Sequence, residues 1–106
     1  MPKYLTVASY TAEGAKGLLK EGGTARRAVV EKLLKSLGGH LEAFYFAFGE
    51  DDVYVITDQP DNVTTAAMSL TISASGAVRT KTIVLLTPEE MDQAAKKTVK
   101  YRPPGS

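Results

Sequence analysis

Hydrophobic positions along this chain switch between a period of two and a helical period, and the switches fall at glycines, prolines and capping residues. Tyr4 to Tyr10 is rich in aromatic and β-branched residues and alternates Tyr4, Thr6 and Tyr10 onto one face, which predicts a first strand closed by Thr11 as a helix N-cap. Ala12 to Glu21 predicts a short helix carrying Leu18 and Leu19, with Gly14 and Gly17 weakening it by about 1 kcal/mol each relative to Ala. Gly22-Gly23 breaks the chain, and Thr24 caps a stronger helix in which Val29, Val30, Leu33, Leu34 and Leu37 recur at helical spacing. Arg26, Arg27, Glu31, Lys32 and Lys35 lie on its other side, and Gly38-Gly39 supplies a left-handed stop.

His40 to Phe48 reads as a second strand and Val53 to Asp58 as a third, joined into a hairpin by the turn Gly49-Glu50-Asp51-Asp52. Pro60 and the N-cap Asp61 open a helix to about Ser75, with Val63, Ala66, Ala67, Leu70 and Ala74 as its apolar stripe. Val78 to Leu86 is the fourth strand. Thr87-Pro88-Glu89-Glu90 joins a capping box to a proline at the first helical position, so a short C-terminal helix to about Lys97 follows. The order is β-α-β-β-α-β: an α+β, ferredoxin-like antiparallel sheet with helices on one face. It occupies residues 1–97 as a single domain, with 98–106 as a mobile tail.

A lone sheet of this kind wets one face, so its strands should alternate apolar and polar residues. These strands do not. Phe44, Phe46 and Phe48 share one face of the second strand while Leu41, Ala43, Tyr45 and Ala47 share the other; Val53 and Val55 oppose Tyr54 and Ile56, and Val84 and Leu86 oppose Ile83 and Leu85. A second covering layer is therefore expected. An identical subunit would make a dimeric α+β barrel, whereas the C-terminal helix and tail folding back would complete a monomer. A homo-oligomer, dimer or higher, is the favoured expectation.

Composition narrows the classes. The chain is 43% hydrophobic and 24% charged, as in ordinary globular proteins. With 13 basic and 12 acidic residues scattered among one another, no field or stripe points to nucleic acid. The absence of cysteine excludes disulfides, thiolate nucleophiles and cysteine-ligated metals. Met1-Pro2-Lys3-Tyr4 runs straight into a strand pattern with no secretory leader, and no stretch approaches the roughly 20 apolar residues that span a bilayer, so a cytoplasmic protein without membrane insertion is expected.

The succession Tyr10-Thr11-Ala12-Glu13-Gly14, Leu37-Gly38-Gly39, Phe44-Tyr45-Phe46-Ala47-Phe48-Gly49-Glu50-Asp51-Asp52-Val53 and Gly76-Ala77-Val78-Arg79-Thr80 resembles the GYD-domain family over about Tyr4 to Met91. The resemblance implies a ferredoxin-like fold of the dimeric α+β barrel type and no assigned activity. In the family's name motif a tyrosine precedes the aspartate. Here Gly49 and Asp52 match, and Asp51 stands in the tyrosine's place.

Candidate chemistry is sparse. His40, the only histidine, is the one side chain with an unperturbed pKa near neutrality and hence the candidate general base, set against its reading as a solvated strand start. One histidine without cysteine falls short of common metal-ligand sets, and Glu50-Asp51-Asp52 lacks the alternating spacing of a calcium loop, so those carboxylates read as a solvated turn. Gly22-Gly23 and Gly38-Gly39 form no phosphate-binding pattern. No cofactor is implied.

Tyr10, Tyr45, Tyr54 and Arg79 are the candidate ligand-binding residues: aromatic walls with a few polar groups suit a small, partly apolar organic molecule. The competing reading packs those tyrosines in a subunit interface. Two functions remain open. One is a small-molecule-binding or assembly domain working as a homo-oligomer. The other is a cofactor-independent enzyme, monooxygenase- or isomerase-like, acting on a small aromatic substrate inside the barrel.

Overall fold

A computed structural model describes all 106 residues. The elements run β1 (Lys3–Tyr10), α1 (Ala12–Glu21), α2 (Gly23–Ser36), β2 (His40–Phe46), β3 (Val53–Asp58), α3 (Asn62–Ala74), β4 (Val78–Leu85) and α4 (Pro88–Lys96). The four strands form one antiparallel sheet in the order β2-β3-β1-β4, the ferredoxin-like arrangement.

Local chemistry places the helix starts. Thr11, Asp61 and Thr87 each accept the backbone N–H three residues on, and at Thr87 the Glu90 carboxylate returns the bond to the cap N–H at 2.9 Å. Gly22 and Gly38 take φ of +85° and +82°, where a side chain would be strained. Gly14 has a different reason to be glycine. A Cβ there would stand 2.0 Å from the Ala77 carbonyl oxygen, so only a bare Cα lets α1 lie against the start of β4.

Register sorts the strand residues into rows. On the helix side run Phe46, Val53, Ala8 and Thr80, then Phe44, Val55, Thr6 and Thr82, then Leu41, Thr57, Tyr4 and Val84. On the open side run Tyr45, Tyr54, Val7 and Lys81, then Ala43, Ile56, Leu5 and Ile83. Strict alternation sets Leu41 with Ala43 and Tyr45. A bulge at Glu42 instead turns Leu41 to the helix side, against the core cluster of Ala8, Val53, Val55 and Val78. β2 also stops at Phe46, two residues short of the expected Phe48.

α3 is rotated from the expected stripe. It buries Thr65 and Met68 and packs Ile72 on the core, leaving Val63, Ala66, Ala67, Leu70 and Ala74 exposed. Two bonds set this rotation: the Tyr4 hydroxyl donates to the Asn62 side-chain oxygen, and the Thr65 hydroxyl donates to the Asp61 carbonyl at 2.9 Å. The long Met68 and Ile72 side chains then reach the sheet where the alanines of the expected stripe would leave a void.

α4 is where the expectation predicted and buries no residue. It does not fold back over the open sheet face, so the self-covered monomer is not what this chain forms. The arm stretches the molecule to 57 × 33 × 22 Å with a radius of gyration of 17.0 Å, against about 13 Å for a compact chain of this length. The accessible surface is 7605 Å², whereas a folded monomer of 11.4 kDa exposes about 5,800 Å². The arm, the outer face of α3 and part of the open sheet face are exposed.

Candidate functional site

Two concave regions adjoin the sheet, one on each side. Between the helix-side rows and the helices lies a narrow chamber of about 50 Å³, lined by Thr6, Ala8 and Tyr10 of β1, Val53 and Val55 of β3, Arg26 and Val30 of α2, and Met68 and Ile72 of α3. Tyr10, Arg26 and Val78 also line a cleft of about 300 Å³ beside α1, together with Glu13 and Glu21, so these three residues stand between cleft and chamber. Thr6 is buried, and its hydroxyl has no hydrogen-bond partner. Burial pushes the Tyr10 phenol above the usual tyrosine range while the nearby Arg26 guanidinium pulls it back, so the phenol stays protonated at neutral pH. Arg26 itself is half-buried and has no carboxylate within ion-pair distance.

The open face carries the other region. Its two central rows are apolar apart from Lys81, and Tyr45, Tyr54 and Ile83 stay 71%, 40% and 48% exposed. One end of this face bears a cleft of about 330 Å³ lined by Val7, Ser9, Asp51, Arg79 and Lys81. The other end bears a cluster in which Lys3 bonds Glu42 at 2.7 Å and Asp58 at 2.9 Å. Hydrogen bonds to Glu42 and then Asp58 hold the Lys3 ammonium above its ordinary pKa.

The hairpin carboxylates are not a solvated turn. Asp52 accepts the Tyr10 backbone N–H at 2.8 Å, and its own N–H donates to the Ala8 carbonyl at 2.9 Å, extending the β1–β3 ladder past the end of β3. Asp51, in the place of the motif tyrosine, turns to the open face, where it accepts from the Ser9 hydroxyl at 2.9 Å and lies 3.5 Å from Lys81 Nζ. Only Glu50 of the three points to solvent unpaired.

The residues singled out in the sequence thus part company. Tyr10 lines the chamber under the helices. Tyr45 and Tyr54 are cross-strand neighbours on the open face, and Arg79 lies on the same face beside Ser9. His40 sits at the exposed start of β2 with Nε2 3.3 Å from Asp58, and lines neither the chamber nor the clefts beside it. Sequence reasoning assigned Arg26 to the solvated side of α2. Its position four and eight residues before Val30 and Leu34 was the available signal, since that spacing puts it on the buried stripe.

No helix is long and apolar enough to cross a membrane. Neither the curated proteins nor the solved structures gave a match. The family model of the GYD domain matches residues 4–95, nearly the whole chain.

Proposed function

We propose, for a chain that belongs to the GYD-domain family, a homo-oligomer whose open sheet faces close on one another and whose subunits each keep a chamber for a small organic molecule. The observation that carries this reading is the apolar open face: Tyr45, Tyr54 and Ile83 stand exposed beside the part-buried Leu5 and Ile56, in two adjoining rows on which no helix of the chain packs. Isolated apolar residues on a surface are ordinary, but contiguous patches of this kind mark interfaces.

Charge supports a second copy as the cover. Arg79 and Lys81 outweigh Asp51 at one end of the face, while Glu42 and Asp58 outweigh Lys3 at the other. A two-fold axis lying in the interface and across the strands sets each basic end on its partner's acidic end. Light scattering at several concentrations in moderate salt tests the assembly: a persistent dimer supports it, and a mass of one chain at every concentration removes it.

The enzyme reading is the weaker one. It needs a base beside an enclosed substrate, and His40 lies at the exposed sheet margin, away from the chamber. Tyr10 is the only ionisable group other than Arg26 that lines the chamber.

A further inference from the structure

The C-terminal arm is an element that its own chain does not support. α4 has nine residues, and isolated helices shorter than about 12–15 residues are marginal in water. Its capping box and its proline fix where the helix starts, yet it buries no residue. Leu86, Met91, Val99 and Tyr101 all stand exposed along the arm. Pro88, Met91 and Ala95 recur at helical spacing on one stripe of α4, with Asp92 at its margin. Charge along the arm is ordered: Glu89, Glu90 and Asp92 come first, and Lys96, Lys97, Lys100 and Arg102 follow.

The start of β4 presents the same order with the signs reversed. On the open face, the cleft of about 330 Å³ holds Arg79 and Lys81 against Asp51. Asp51 is already engaged by Ser9 and Lys81, so Arg79 has no carboxylate partner. On the helix side of the same strand end, the cleft beside α1 holds Glu13 and Glu21 against Arg26, and neither glutamate is in an ion pair. Lys16 and Lys20 of α1 line neither cleft. A segment crossing the start of β4 from the open face to the helix side therefore passes from a positive cleft to a negative one.

We infer that the arm of each subunit docks across this end of a second copy, with the carboxylates of α4 at Arg79 and Lys81 of the partner subunit and the lysines that follow at Glu13 and Glu21 of the partner subunit. The inference rests on the face-to-face assembly proposed above, whose two-fold axis supplies the reach. The arm leaves β4 at Leu85, which pairs with Lys3 at the acidic end of the open face, and that axis sets this end on the partner's basic end. Within its own chain the clefts lie back along β4, with Arg79 six residues and hence about 20 Å from Leu85, and no residue of α4 lines them. Docking gives a short helix the packing it lacks and takes Met91 out of water.

The test uses the whole chain and leaves its charges in place. Chains carrying Gly17→Cys and chains carrying Thr98→Cys are mixed and treated with a short bismaleimide. A Cβ at Gly17 meets nothing within 4 Å and Thr98 is exposed, so neither change disturbs the fold. The chain has no cysteine of its own, so a link between the two positions joins two chains. The mixture should form a covalent two-chain product several times faster than either variant alone. Separately, Asp92→Arg and Arg79→Glu should each weaken the dimer by about tenfold, and the two combined should restore it, because like charges then face opposite ones again. Cross-linking no faster in the mixture than in the single variants, or charge reversals whose effects add rather than cancel, would overturn the docking of the arm. The mass of the parent chain in solution separates this failure from that of the assembly: a dimer without these signs removes the arm contact and leaves assembly standing, whereas one chain at every concentration removes both.

Discussion

The carboxylate of Asp52 accepts the backbone N–H of Tyr10 at 2.8 Å, so the motif aspartate completes the hydrogen bonding of β1 at the point where β3 has run out. The same strand end carries the phenol that lines the chamber. The hairpin motif therefore has a structural task that also positions a candidate ligand contact, and the adjacent Asp51 ties the hairpin to the open face through Ser9.

Replacing Asp52 by alanine leaves the Tyr10 N–H without its charged acceptor. We expect a loss of about 1–2 kcal/mol in urea unfolding, with most of it recovered by Asp52→Asn, which keeps an acceptor oxygen. Equal stability of Asp52→Ala and the parent would show that the bond does not hold β1.

The two glycines of α1 should respond in opposite directions. Nothing lies within 4 Å of a Cβ built at Gly17, so Gly17→Ala should raise stability by about 0.5–1 kcal/mol through helix propensity. The same substitution at Gly14 drives a methyl into the Ala77 carbonyl and should destabilise despite the same propensity gain. Thermal unfolding of the pair separates packing from propensity.

At the start of α3 the Thr64 backbone N–H donates to Asp61 at 2.7 Å and holds its carboxyl below the usual 3.8. A depressed folded-state pKa means that this stabilisation is complete above the unfolded value and is lost as pH falls through the folded one. Melting temperatures followed from about pH 5 to pH 2 should therefore fall less steeply in Asp61→Asn, which caps without titrating. An unchanged slope would remove Asp61 from the acid response.

On the open face, Ile83→Glu places a carboxylate in the centre of the apolar rows at a position 48% exposed in the single chain. The chain should fold as before by far-ultraviolet circular dichroism, while association weakens on the order of a hundredfold. Loss of fold together with association would show instead that Ile83 serves the subunit's own core.

Much of this architecture was legible because the signals were local. Thr11, Asp61 and Thr87 capped the helices they were expected to cap, and the glycine pairs ended elements where a left-handed turn or a close approach was needed. What was hidden depends on contacts between distant segments. The bulge at Glu42, which moves Leu41 across the sheet, leaves no mark in the residue pattern. The rotation of α3 is set by Tyr4 and by the reach of Met68, and neither is visible in the alanine-rich stripe. Asp51 and Asp52 read as turn residues because their partners, Ser9 and Tyr10, lie about 40 residues upstream. Tyr10 was found as a candidate, but Arg26 was passed over because a charge on a helix is most often solvated.

The claim that a second copy covers the open face is tested most directly through a chain that has no cysteine of its own. Ile83→Cys puts a thiol in the centre of that face and Lys20→Cys puts one on the outer side of α1, and their rates of reaction with a thiol reagent can be compared at rising protein concentration. The account predicts that the thiol at position 83 becomes protected as concentration rises and is released on dilution, while that at position 20 reacts at one fast rate throughout. Equal, concentration-independent reactivity at both positions would contradict it.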